Sequence, residues 1–188
     1  MNVEQDLTIF TSQFDNTNDY KYYDKIKGFD TFLRKGFHNM NMYKIYREMP
    51  CNSKKCLNYI SSSKIREDIS KGSMTCKVIK KINDKSWYEI IKINAGDSLF
   101  FDNLYSVELI QKKDNMLFSY SKDPPGSKFD ESLEKRENLF TGIKCDSIDE
   151  NNCLLTIILS FGEFEISQKT ILKAMIDHFE LFREALKI

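Results

Sequence analysis

Hydrophobic and polar positions divide the chain into a polar leading segment, a hairpin, a helix, a long run of strands and a closing helix. After Gly28, residues 29–35 and 41–48 are rich in β-forming side chains and flank Gly36-Phe37-His38-Asn39, the pattern of an antiparallel hairpin. Pro50 ends the second strand. Asn52 or Ser53 then caps a helix, because a short polar side chain accepts from the first free backbone amides. Leu57, Ile60, Ile65 and Ile69 keep a helical spacing through to Gly72.

Beyond Gly72 the period switches to alternation, the mark of half-buried antiparallel strands. Met74, Cys76 and Val78 share a face, and Asn83-Asp84-Lys85 turns the chain into a strand over 87–93. A loop over 94–98 leads to the alternate positions Phe101, Asn103, Tyr105, Val107 and Leu109; Lys113-Asp114-Asn115 then turns into Met116, Phe118 and Tyr120. Pro124-Pro125-Gly126 and the charged stretch to Lys135 form a long irregular connection. Two more strands, 139–146 and 153–161, are joined by Asp149-Glu150-Asn151-Asn152. From about Ser167 a long helix places Leu172, Met175, Ile176, Phe179, Phe182 and Leu186 on one face and Lys173, Asp177, Glu180, Arg183 and Glu184 on the other. The class is α+β: a curved antiparallel sheet whose concave face is closed by the C-terminal helix. Periodicity alone leaves open whether the space between is solid core or cavity.

The chain length of 188 residues suits one domain, read as 21–188, preceded by an arm over 1–20 in which Leu7, Ile9, Phe10 and Phe14 can anchor part. Twenty-eight basic residues balance twenty-eight acidic ones and are interleaved with them, so no nucleic-acid partner is expected. The longest apolar run, residues 154–159, is far short of a membrane span, and the first residues lack the basic-then-apolar order of a secretory signal. The expectation is a cytoplasmic monomer. Cys51, Cys56, Cys76, Cys145 and Cys153 form an odd set without a CxxC pair, beside only two histidines. They read as reduced thiols, buried or incidental, with no metal and no cofactor expected. Nor is there a Gly-rich phosphate loop, a nucleophile elbow or a helical metal-ligand pair, so no catalytic residues are expected.

The ordered elements also carry family residues at matching intervals. Arg66 followed by Ile69-Ser70 stands where an Arg, two residues, Trp-Asp pattern is expected. Residues 76–82 fit the strand after it, 103–105 keep only the aromatic of an Arg-Asp-Phe segment, and Arg136 fits Val-Xaa-Arg. Residues 155–160 fit a Thr-containing penultimate strand, and 169–172 the start of the last helix. From Gly28 to Ile188 the chain thus resembles the StAR-related lipid transfer (START) family of helix-grip domains. That resemblance implies a protein that encloses one phospholipid, sterol or other acyl-chain lipid in an apolar tunnel under the C-terminal helix and carries it between membranes through transient contact with their surfaces.

On that reading the tunnel walls are Ile91, Ile93, Tyr105, Val107, Phe118, Tyr120, Ile157, Leu159, Met175, Phe179 and Phe182. A slip of one residue in register would exchange the two faces of any strand among them. Arg66 is either a fork for a lipid phosphate or half of a surface ion pair. Arg136 and Glu108 are further inward polar candidates, Asn103 and Tyr105 neutral ones, and His38 and His178 are placed at the surface. The loop with Gly96, Leu99, Phe100 and Phe101 joins backbone freedom to large apolar tips and reads as the gate. Two other readings stand beside lipid transfer: a helix-grip small-molecule enzyme such as a cyclase or hydrolase, and an interaction module with a filled core.

Overall fold

The computed structural model describes residues 8, 11–16, 18–35, 41–93, 104–126, 134–135, 138–161 and 168–186. Residues 11–15 are helical (α1). Three strands follow: β1 (Lys21–Ile26), β2 (Phe29–Lys35) and β3 (Asn41–Met49). Helices α2 (Ser53–Ser61) and α3 (Ser63–Ser70) lead into β4 (Met74–Asn83), β5 (Ser86–Ile93), β6 (Leu104–Lys113) and β7 (Met116–Ser121). The short β8 (Glu134–Lys135), β9 (Asn138–Ser147), β10 (Cys153–Phe161) and α4 (Gln168–Leu186) complete the chain. Among the described residues the strands form one sheet in the order β1-β2-β3-β10-β9-β7-β6-β5-β4, with β8 lying parallel to β6 at its start. All other neighbours are antiparallel.

Besides the short α1 and β8, which fall in the expected arm and irregular connection, two elements differ from the sequence expectation. β1 was hidden because it is an edge strand with Lys21, Tyr22 and Tyr23 exposed, and so it has no apolar alternation to reveal it. At its turn Lys27 and Gly28 both have positive φ, 50° and 79°, as a two-residue hairpin turn that follows the sheet twist requires. A β-carbon on Gly28 would also stand 2.0 Å from Nη1 of Arg47, which donates to the Gly28 carbonyl at 2.7 Å. The second difference is that the single helix expected to Gly72 is two. Ser62 leaves the helical region (φ −80°, ψ 114°), and its hydroxyl accepts from the Ile65 amide while its own amide reaches the Tyr59 carbonyl. The run Ser61-Ser62-Ser63 is the signal for that break.

Both faces of the sheet are covered. On the convex face Phe14 of α1 joins Met42, Met116, Phe118, Phe140 and Ile158. Gly142 leaves room there, since a β-carbon would approach the Phe140 and Phe14 rings to 2.8 and 2.9 Å. Lys44, only 1% exposed, reaches out from β3 and donates from Nζ to the carbonyls of Gln13, Phe14 and Asn16 at 3.1, 2.6 and 3.1 Å. It thereby satisfies carbonyls at the C-terminal end of α1 and ties that helix to the sheet. On the concave face the larger cluster gathers Phe29, Ile45, Ile143, Leu155 and Ile157 of the sheet, Leu57 and Ile60 of α2, and Leu172, Ile176, Phe179, Phe182 and Leu186 of α4.

Candidate functional site

The concave wall grades from apolar to polar across the sheet. Register aligns Ile45, Ile157, Ile143 and Leu117 on β3, β10, β9 and β7 in one apolar row. On the β5–β6–β7 side the same face carries Trp87 opposite Ile110 and then Glu89 opposite Glu108, which is itself opposite Ser121. Ser106 and Ser119 fall on this face as well, by the alternation of β6 and β7.

Helix α3 delivers the cation. Its cap at Ser62 sets its direction, and Oε1 of Glu67 accepts from the Cys76 amide at 2.6 Å, clamping the helix to β4. Nη2 of Arg66 then meets Oε2 of Glu89 at 2.6 Å, with the arginine side chain 13% exposed and the glutamate 0%. The indole Nε1 of Trp87 donates to the same oxygen at 3.3 Å. Burial, the largest single influence, would lower the Arg66 pKa, but Glu89, Cys76 and Glu108 together outweigh it and hold the guanidinium above its ordinary value. Beside this pair, Ser106 and Ser119 both donate to Glu108. Two groups keep unused capacity: Oε1 of Glu89 and Nε of Arg66 are buried without a hydrogen-bond partner among the described residues. A buried polar atom left in that state costs on the order of 1–3 kcal/mol, which a ligand donor or acceptor can recover.

The expected wall residues divide between the two faces. Ile157, Leu159, Phe179 and Phe182 lie in the cluster under α4, Met175 packs against it, and half-buried Ile91 shares the face of Glu89. Ile93 has the same parity, but its side chain lies outside the described residues. Tyr105, Val107, Phe118 and Tyr120 are corrected: they point to the opposite face. Phe118 packs on Phe14 and Phe140, Tyr120 shares its parity, and Tyr105 and Val107 are out of step with inward-facing Ile110. β6 and β7 are apolar on one side and serine- and glutamate-bearing on the other; the polar side is the one that faces α4. Arg136, Asn103, His38 and the expected gate residues Gly96, Leu99, Phe100 and Phe101 lie outside the described residues.

His178 is also corrected, from surface to half-buried. Its ring stands 5.0 Å from that of Phe182 at 90°, and burial, followed by the nearby Arg66 charge, pushes its pKa down from 6.5 to about 4. Between those values the unfolded chain binds a proton that the folded chain refuses. The contribution is therefore intact above pH 6.5 and is lost as pH falls towards 4, by up to roughly 3 kcal/mol. Urea unfolding from pH 7 to 4 should show that loss in the wild type and a flatter profile in His178→Gln; parallel profiles would remove His178 as the cause. Cys76, on β4 opposite Ile91, has its thiol pushed up to about 12 by burial and is protonated at neutral pH. Two clefts among the described residues, one at the β4–β5 turn with Asp84 and Lys112 and one beside α2 with Lys55 and Tyr59, open on the surface away from this polar group.

No family model matches the sequence, and no curated protein matches it by sequence. Solved structures do match the fold. Human STARD10 superposes with a TM-score of 0.79 at 12% identity, over 99% of this chain and 80% of its own. Human StAR-related lipid transfer protein 5 gives 0.75 at 12% identity, over 97% and 91%. More distantly, the Zhui aromatase/cyclase from Streptomyces gives 0.55 at 6% identity, over 78% and 91%. By these superpositions the chain has the START helix-grip fold.

Proposed function

We propose that this chain binds one lipid between the concave face and α4 and moves it between membranes. The observation that carries the reading is the buried Arg66–Glu89 pair, with one unused oxygen and one unused N–H, set with Glu108 at the polar end of a wall that is apolar under α4. An amphiphile is the ligand class that matches both parts. Its tails gain about 0.8 kcal/mol for each methylene withdrawn from water against Ile157, Leu159, Met175 and Phe179. Its headgroup meets Arg66, Glu89 and Glu108. A phospholipid offers phosphate oxygens to Arg66, and a sterol offers a hydroxyl to Glu89. Membrane contact and entry through the loop over 94–102 belong to the same proposal and rest on the sequence of that loop.

Lipid extraction and mass spectrometry of the purified full chain is the test. One lipid per chain, reloaded from vesicles after removal, is the expected result; a chain that carries no lipid and takes none from vesicles would sink the reading. A second reading, a cyclase-type enzyme, has one observation behind it: two carboxyl groups placed directly across a strand pair in a buried site can serve acid–base chemistry. Conversion of a bound small molecule in that experiment would favour it.

A further inference from the structure

Four cysteines meet at one end of the sheet although the sequence keeps them far apart. Cys51 follows β3, Cys56 lies in the first turns of α2, Cys145 is on β9 and Cys153 opens β10. The sulfurs of Cys51, Cys56 and Cys153 lie within 4.8 Å of one another. Cys145 stands diagonally across the β9–β10 ladder from Cys153, on the same face of the sheet. All are free thiols and buried.

Their backbones are fixed by bonds that do not involve the sulfurs. The Cys51 amide donates to Met49 O at 2.9 Å and the Cys56 amide to Asn52 O at 3.0 Å. The Cys145 amide donates to Asn115 O at 3.0 Å, while Nδ2 of Asn115 returns a bond to the Cys145 carbonyl at 3.1 Å. Cys153 is held in the ladders to Met49 and Ser147. Packing alone gives no reason for thiols to seek one another, since S–H is a weak donor and sulfur a weak acceptor. Three sulfurs this close, with a fourth thiol diagonal to Cys153 on the same face, instead supply the residues of a tetrahedral thiolate site. The positive dipole end of α2, at its N-terminus, also favours the anionic form of such a cluster.

We propose that Cys51, Cys56, Cys145 and Cys153 bind one Zn²⁺ ion, a site independent of the lipid reading. Four neutral thiols and Zn²⁺ give a tetrathiolate complex of net charge −2 and release four protons to solvent; no electrons are exchanged. The ion joins the β3–α2 connection to the β9–β10 hairpin, bracing the sheet where α2 packs on it. Because Zn²⁺ takes only deprotonated thiols, affinity falls as pH is lowered.

The test uses the full chain, reduced and freed of metal with a chelator, with Co²⁺ and Zn²⁺ themselves as probes. Wild type and Cys76→Ser should each take up one Co²⁺, with thiolate-to-metal charge transfer and tetrahedral absorption bands that one equivalent of Zn²⁺ abolishes. Cys145→Ser and Cys153→Ser should bind at least about a hundredfold more weakly. Should those variants fail to fold, the wild type still decides: Zn²⁺ should raise its melting temperature and release roughly four protons per ion at neutral pH. Absence of thiolate–Co²⁺ bands in the wild type, equal bands in Cys153→Ser, or a disulfide among these four in protein purified without reductant would overturn the assignment.

Discussion

Arg66→Met is expected to lower the unfolding free energy by about 3–5 kcal/mol, the cost of leaving a buried carboxylate without its cation. Glu89 is fully buried, and the 2.6 Å contact with Arg66 is its one ionic partner among the described residues. Trp87 offers Oε2 only a neutral donor at 3.3 Å. Removing the guanidinium therefore strands a charge in low dielectric. Removing both charges does not, so Arg66→Met/Glu89→Gln should recover most of the loss; a buried pair is worth little against apolar or neutral replacements of similar volume. Urea unfolding of the two single variants and the double completes the cycle. Equal instability in Arg66→Met and the double variant would mean that Arg66 acts through its packing. The same set separates fold from ligand, because the double variant restores the wall without restoring either unused group. Its lipid uptake from vesicles is expected to fall although its stability does not.

The positions of most strands and their turns were legible because short polar turns such as Lys113-Asp114-Asn115 punctuate them and because the switch of period at Gly72 is sharp; the order of the strands in the sheet was not. The faces of β6 and β7 were not. A rule that sends the more apolar side inward chooses Tyr105, Val107, Phe118 and Tyr120, and the rule fails here because the sheet has two covered faces. Its convex side is sealed in part by Phe14 of α1, which frees the serine and glutamate side to line the space under α4. Arg66 could be singled out from the chain, yet its partner could not. Glu89 lies on another element, and the pairing depends on how the Ser62 break and the Glu67 clamp aim α3. The cysteine cluster was hidden for a related reason: its ligands come from the ends of β3, α2, β9 and β10, and only the sheet register brings them together. What sequence conveyed was local period; what it withheld was which distant residues share a face.

Phe182→Ala should cost about 3–5 kcal/mol, and it should do so whether or not lipid is bound. The ring is 1% exposed and lies 6.2 Å from the ring of Tyr59 on α2, 6.2 Å from Phe179 and 5.0 Å from His178. Its partners are thus protein groups that remain in place when a ligand leaves. Met175 differs: it is half-buried and packs at the margin of the same cluster, where a ligand tail would supply the missing contacts. Met175→Ala should therefore cost little in the delipidated chain, on the order of 1 kcal/mol, and more in the loaded one, because only then does the side chain lose a partner. Thermal or urea unfolding of both variants, each measured loaded and delipidated, gives four numbers that must fit one geometry. A loss for Phe182→Ala that appears only in the loaded protein would make that ring a ligand wall rather than the wedge between α4 and α2. A loss below about 1 kcal/mol in both states would show that α4 is held by other residues.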